Sequence, residues 1–204
     1  MLTGLPPLVS PHTRLLILGS FPGVASLAVQ QYYGHPQNQF WKILQAVWPS
    51  SPCPAGVNSY QNRSDWLLAR KLGVWDVYAS CEREGSLDSA IRQPVVNDFA
   101  GLRVLCPQLE AIAHNGGESF KHAGRVGALL AEVPADVRRA GPPQASTAPL
   151  SRARGSAPPE AHEVKSVGVK FYKLPSTSPA NASWSFERKL AAWRDVFEKH
   201  RLTD

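Results

Sequence analysis

The run Leu15-Leu16-Ile17-Leu18 breaks at once on Gly19-Ser20-Phe21-Pro22-Gly23, and no other stretch restricts the fold as much. Consecutive apolar residues without alternation suit a strand buried on both faces. The Gly/Pro turn ends that strand. A polar-aromatic loop then runs through Tyr32-Tyr33-Gly34-His35-Pro36-Gln37-Asn38 to the pair Phe40-Trp41. Strand, sharp turn and loop is how an open α/β sheet builds a pocket beyond the carboxyl end of a strand.

The pattern recurs along the chain. Strands are predicted over Arg14–Leu18, Gly73–Tyr78, Leu109–His114 and Val167–Leu174. Between them lie helical patterns. Phe40, Ile43, Leu44 and Val47 fall on one face of a helix running from Asn38 to about Val47. Tyr60–Lys71, Asn97–Leu105 (with Asn97 as N-cap) and Glu118–Leu130 follow, and a last helix spans about Ser183 to His200. This alternation predicts an α/β fold, a three-layer α/β/α arrangement around a four-stranded, mostly parallel sheet. All four carboxyl ends then open on one edge. The loops there are GSFPG with its YYGHPQN extension, the polar stretch Ala79–Ser86, HNGG, and PSTSPAN. They are rich in Ser, Asn, Gly and aromatic residues and poor in carboxylates, which suits a planar, hydrogen-bonding ligand.

The 204 residues are read as one domain. From about 134 to 165, Pro, Ala, Ser and Arg crowd out large apolar residues, so this stretch is expected to be a flexible insertion. Its Arg138, Arg139, Arg152 and Arg154 suit either a DNA-tethering arm or a solvated segment. Lys+Arg 22 against Asp+Glu 16 leaves a formal +6, which favours an anionic partner, nucleic acid first.

Several chemistries are disfavoured. Cys53, Cys81 and Cys106 are far apart with no CxxC pair, and the six histidines lack metal-ligand spacing, so no metal site is expected. No Gly-x-Gly-x-x-Gly or Walker A follows the first strand, and there is no Gly-x-Ser-x-Gly elbow, so no nucleotide cofactor and no α/β-hydrolase triad is expected. Only Asp76, Glu82 and Glu84 lie near the strand ends, too few for a two-metal nuclease. The N-terminus does not read as a secretory signal and no apolar run approaches 18 residues. A cytoplasmic location of bacterial type, associated with the nucleoid, is the expectation, with no membrane partner.

The segments GSFPGVASL, YYGHPQNQFW, SCEREGSLDSAI and LPSTSPANAS, in that order, resemble the uracil-DNA glycosylase superfamily and most closely its hypoxanthine (deoxyinosine) DNA glycosylase family. The resemblance covers roughly Arg14–Asn115 and Phe171–Trp193 and leaves out the Pro-rich stretch. It implies a monofunctional glycosylase of base excision repair. Such an enzyme hydrolyses the N-glycosidic bond of a deaminated base, hypoxanthine first, flipped out of single- or double-stranded DNA, with no cofactor and as a monomer. Alternatives from the same reading are a uracil or thymine mismatch glycosylase, or a non-catalytic nucleic-acid-binding protein on this sheet.

Many superfamily members carry Asp or Asn just before the Pro of the first motif. Here that residue is Phe21, which neither orients water nor stabilises charge. The resemblance moves the catalytic amide to Asn38, which would orient the attacking water and stabilise positive charge on the sugar. Asn is also a favoured helix cap, and the two roles are compatible. Asn115 is the second catalytic candidate, hydrogen-bonding the base edge and supporting the departing anion. Gly19, Ser20 and Phe21 would bring backbone close to the base, Tyr33 would stack on it with Tyr32 as the fallback, and His35 would contact base or DNA. Ser176, Thr177 and Ser178 would bind flanking phosphates, and Asn181 would approach the minor groove. Ser86 is a weaker phosphate candidate and a good cap. No large apolar wedge stands out near PSTSPAN to fill the hole left by the base.

Overall fold

A computed structural model describes residues 1–55, 59–131 and 168–203. The Pro/Ala/Arg-rich stretch from about 134 to 165, with its four arginines, lies outside the described residues. The elements are β1 (Leu2–Thr3), β2 (Leu15–Gly19), α1 (Val24–Val29), α2 (Phe40–Val47), α3 (Ser59–Ala69), β3 (Leu72–Asp76), β4 (Tyr78–Glu82), a 3₁₀ turn (Asp88–Ala90), β5 (Arg92–Val96), α4 (Leu102–Leu105), β6 (Ala111–Asn115), α5 (Gly117–Phe120), α6 (Ala123–Ala131), β7 (Lys170–Leu174) and α7 (Phe186–Lys199).

The main sheet has the order β3-β2-β6-β7, and every neighbouring pair is parallel. In the β2–β3 register, Leu15 faces Leu72 and Gly19 faces Asp76. Strand β2 is buried along its whole length, as its unbroken apolar run requires. Helix α2 buries Phe40, Ile43, Leu44 and Val47 against α7, which buries Trp193, Val196 and Phe197. The four carboxyl ends meet on one edge, as the sequence pattern predicts.

Three expectations are corrected. Strand Gly73–Tyr78 is broken at Val77, and Ala79–Ser86 is not wholly loop: Tyr78–Glu82 forms β4, which pairs antiparallel with β1 and β5 in a second, three-stranded sheet. Ser80 and Glu82 supply partners for that ladder, and their polar side chains hide the strand from a hydrophobicity reading. Asn97 is no helix cap. Its amide donates to the Asp76 carbonyl at 2.9 Å, tying the end of β5 to the end of β3, and the helix begins only at Leu102. The helix predicted over Glu118–Leu130 is two pieces, α5 and α6, separated at Lys121-His122.

Candidate active site

A cleft of about 930 Å³ opens over the carboxyl ends of β2, β3, β6 and β7. It is lined by the Gly19–Gly23 turn, by Tyr33 and Asn38, by Asp76 and Asn115, and by the loop that follows β7.

The first wall is the turn after β2. Its carbonyls are held from below: Val77 N–H donates to Gly19 O and Tyr78 N–H to Ser20 O. Ser20 Oγ donates to Asp88 Oδ1 at 2.6 Å. Phe21 is 6% exposed and packs in the core, with the Arg83 guanidinium 5.1 Å from its ring. Phe21 is thus an anchor for the turn. Ser86 acts as a cap for a helix distant in sequence: its Oγ accepts from Val24 N–H at the start of α1.

The second wall is the Tyr32–Asn38 loop. Tyr32 is a structural residue, with its hydroxyl among the carbonyls of Leu5 and Pro6. Tyr33 has a positive φ of 55°, a strained conformation for a residue with a bulky side chain. One face of its ring stacks on Phe40, centroids 3.8 Å apart. His35 is exposed at the rim, where its Nδ1 accepts from Gln37 N–H. Asn38 is half-buried, and its Oδ1 accepts from Phe40 N–H at 2.9 Å. The N-cap itself is Gln39, so Asn38 satisfies the first helical N–H from one position earlier than a cap would, and that bond holds its side chain at the cleft.

Asn115 closes the floor. It exchanges two hydrogen bonds with Thr177, accepting from its backbone N–H and donating to its Oγ1, both at 2.9 Å, and Nδ2 also donates to Tyr33 Oη. Gly116 follows with φ of 109° and presses against Ser176, where a Cβ would come within 3.1 Å of the Ser176 Cβ. Only glycine serves there. Thr177 is wholly buried by this contact, whereas Ser176 and Ser178 lie at the cleft. Asn181 is tied within the loop, donating to Ser176 O and accepting from Ser183 Oγ.

Three residues here are not among the site candidates that the sequence offers. Lys189 is 1% exposed and donates from Nζ to Gln39 Oε1 and Asn181 O, both at 2.9 Å, so it pins the β7 loop to the entrance of α2. Burial lowers its pKa. Trp184, at 37% exposure, lies at the cleft with the Arg188 guanidinium 4.5 Å over its ring. This apolar plate stands three positions beyond Asn181, the last residue of PSTSPAN. Asp76, at the end of β3, is 5% exposed, and its Oδ2 has no hydrogen-bond partner among the described residues. Burial, reinforced by the nearby Asp88 carboxylate and only partly offset by Arg83, pushes its pKa up to about 7. No cluster of His, Cys, Asp and Glu suited to a metal ion occurs among the described residues.

Four parallel strand ends thus form one cleft, walled by an aromatic ring and rimmed by hydroxyls, the layout of an α/β protein that binds its ligand at the carboxyl edge of the sheet. Comparison with known proteins agrees. Residues 6–197 match the model of the uracil DNA glycosylase superfamily. The chain is 40% identical over 119 residues to a hypoxanthine DNA glycosylase of Methanosarcina barkeri (strain Fusaro), covering 58% of this chain and 73% of that protein. It is 37% identical over 120 residues to the protein of the same description in Methanosarcina acetivorans, with the same coverage. A solution structure from Methanosarcina acetivorans, described as a candidate uracil DNA glycosylase, superposes with a TM-score of 0.69 at 27% identity over 98% of both chains. The chain belongs to the uracil DNA glycosylase superfamily.

Proposed function

We propose that this protein is a monofunctional DNA glycosylase that releases deaminated bases, hypoxanthine first, by hydrolysing the C1′–N bond. The observation that carries the reading is the meeting of Tyr33, Asn38 and Asn115 in one cleft at the sheet edge. The relatives described as hypoxanthine DNA glycosylases support the choice of base.

Each residue then has a task. The target nucleotide leaves the stack, because its glycosidic bond is otherwise inaccessible to a site this deep. The free face of Tyr33 stacks on the base, with Phe40 behind it. Hypoxanthine presents an N1–H donor beside the O6 acceptor. Asn115 Oδ1 has a lone pair beyond the one used by Thr177 N–H, and it accepts from N1–H. Backbone of the Gly19–Phe21 turn lies along the edge of the ring. Asn38, held by its bond to Phe40 N–H, orients the attacking water and places its amide dipole against the oxocarbenium-like sugar. An amide is a weak base, so most of the acceleration comes from positioning and from stabilising the departing base.

At the rim, Ser176 and Ser178 contact flanking phosphates, His35 contacts DNA, and Asn181 holds the loop at the minor groove. Trp184 fills the space vacated in the duplex, with Arg188 beside it near the backbone. The protein works as a monomer on DNA in the cytosol. No helix among the described residues is long and apolar enough to cross a membrane.

The test uses end-labelled duplexes carrying deoxyinosine, uracil or no lesion, followed by alkali. Strand breaks at deoxyinosine support the reading. Breaks at uracil alone assign a pyrimidine specificity instead. Binding without breaks in any duplex removes the enzymatic reading.

A further inference from the structure

We propose that Asp76 is a catalytic acid of this site, delivering its carboxyl proton to N7 of the flipped purine as the glycosidic bond breaks. The inference rests on the glycosylase reading above and adds a residue and a step to it.

The argument begins with placement. Strand β2 lies between β3 and β6, and Gly19 is the residue of β2 that faces Asp76 in the ladder. A Cβ on Gly19 would collide with Asp76 Oδ1. The Asp76 side chain therefore lies across the end of the first strand, in the space that the missing Gly19 side chain leaves. On the other side of β2, Asn115 follows His114, the partner of Leu18. Asp76 and Asn115 thus flank Gly19 from the two neighbouring strands, and all three line the same cleft. Two strand spacings separate them, about 9.6 Å between backbones. A purine lying over Gly19 fits that gap, its N1–H and O6 edge toward Asn115 and its imidazole half toward Asp76.

The state of the carboxyl follows from its surroundings. A carboxylate taken out of water needs a cation or several donors. Asp76 Oδ2 has none among the described residues. Arg83, the nearby cation, gives its Nη2 hydrogen bond to Pro22 O instead. The other groups acting electrostatically with Asp76 are Asp88, whose charge opposes a second anion, and the hydroxyls of Tyr32 and Tyr33. Such a pocket holds the neutral acid, which has a proton to give. The pKa near 7 agrees with this and suits proton transfer close to neutral pH.

The step balances without any further reactant. The carboxyl proton passes to N7, the C1′–N9 bond breaks, and its electron pair stays with the base, which leaves as neutral hypoxanthine. Water oriented by Asn38 bonds to C1′ and gives a proton to bulk water, from which the Asp76 carboxylate takes one back. Uracil has no N7, so this acid would favour purines. Phe21, where many relatives carry a catalytic side chain, is then one half of a rearrangement: the water-orienting amide is in the Asn38 loop and the acid is on the next strand.

The experiment measures single-turnover rates from pH 5.5 to 8.5 on duplexes containing deoxyinosine or 7-deazadeoxyinosine. For the wild type on deoxyinosine, the rate should fall about tenfold per pH unit once pH passes the carboxyl pKa near 7. The Asp76→Asn variant should be at least about 100-fold slower at the acid end and flat with pH. The 7-deaza duplex, which lacks the proton acceptor, should be slowed to a similar extent in the wild type. A variant within about threefold of wild type with the same pH profile overturns the proposal. So does wild-type cleavage of the 7-deaza duplex at the deoxyinosine rate. If Asp76→Asn does not fold by circular dichroism, the two wild-type measurements decide alone. A wild type that breaks no deoxyinosine duplex at any pH refutes the glycosylase reading itself, a result distinct from the failures above.

Discussion

Asn115, at the end of β6, and Thr177, in the loop after β7, hold each other by two hydrogen bonds, each 2.9 Å, across 62 residues of chain. The pair fastens the loop after β7 to the floor of the cleft and sets the angle of the Asn115 amide. Thr177→Val keeps the shape and removes one acceptor, leaving an Asn115 N–H unpaired. Stability should fall by about 1–3 kcal/mol in urea denaturation. The glycosylase rate should fall about tenfold as the amide loosens. A variant unchanged in both would mean that the Thr177 backbone N–H and the Tyr33 hydroxyl hold the Asn115 amide without the Thr177 hydroxyl.

Asn38 carries two duties, and they can be separated. Asn38→Ala removes the acceptor for Phe40 N–H, which should cost about 1 kcal/mol. It also removes the water-orienting amide, which should cost at least about 100-fold in single-turnover rate. Asn38→Ser restores a capping oxygen. Its melting temperature should recover while its rate stays low. Recovery of both together would reduce Asn38 to a cap.

Asp76 also makes a stability prediction. The folded chain holds its proton to about pH 7, against an ordinary value of 3.8. Between those values the folded state binds more protons than the unfolded state, so the contribution of Asp76 to stability declines as pH rises from about 4 to 7 and is level above. Asp76→Asn removes that dependence. The stability of wild type minus variant should therefore shrink between pH 5 and 8, with about 4 kcal/mol as the ceiling. A difference that is constant with pH would show an ordinary carboxylate.

These residues show how far the sequence could be read. The main sheet was legible because β2 is an unbroken apolar run that stops at Gly, β6 opens on Ala-Ile-Ala and stops at Asn-Gly, and β7 stops at Pro-Ser. Strand β4 was not, because its Ser80 and Glu82 answer to a backbone ladder and not to a core. Asn38, Asn115 and Tyr33 were singled out through their motifs, and the fold brings all three to one cleft. Asp76 had no motif: one carboxylate at a strand end is ordinary, and only the register with Gly19 gives it meaning. Lys189 sits in an amphipathic helix where a lysine normally faces solvent, so its burial against Gln39 and Asn181 belongs to the tertiary packing.

Trp184 predicts a difference between substrates. If its ring fills the gap in the stack, Trp184→Ala should lose about 10-fold or more on duplex deoxyinosine. On single-stranded DNA, where there is no gap to fill, the same variant should keep nearly all its activity. Equal losses on both would place the ring against the flipped nucleotide instead.

The most direct measurement detects the released base itself. Wild-type protein is incubated with duplex deoxyinosine, and free hypoxanthine is quantified by mass spectrometry beside the strand breaks formed before and after alkali. A monofunctional glycosylase gives free hypoxanthine in step with alkali-labile sites, and no breaks before alkali. Breaks without alkali, or intact DNA with no free base, would contradict the account.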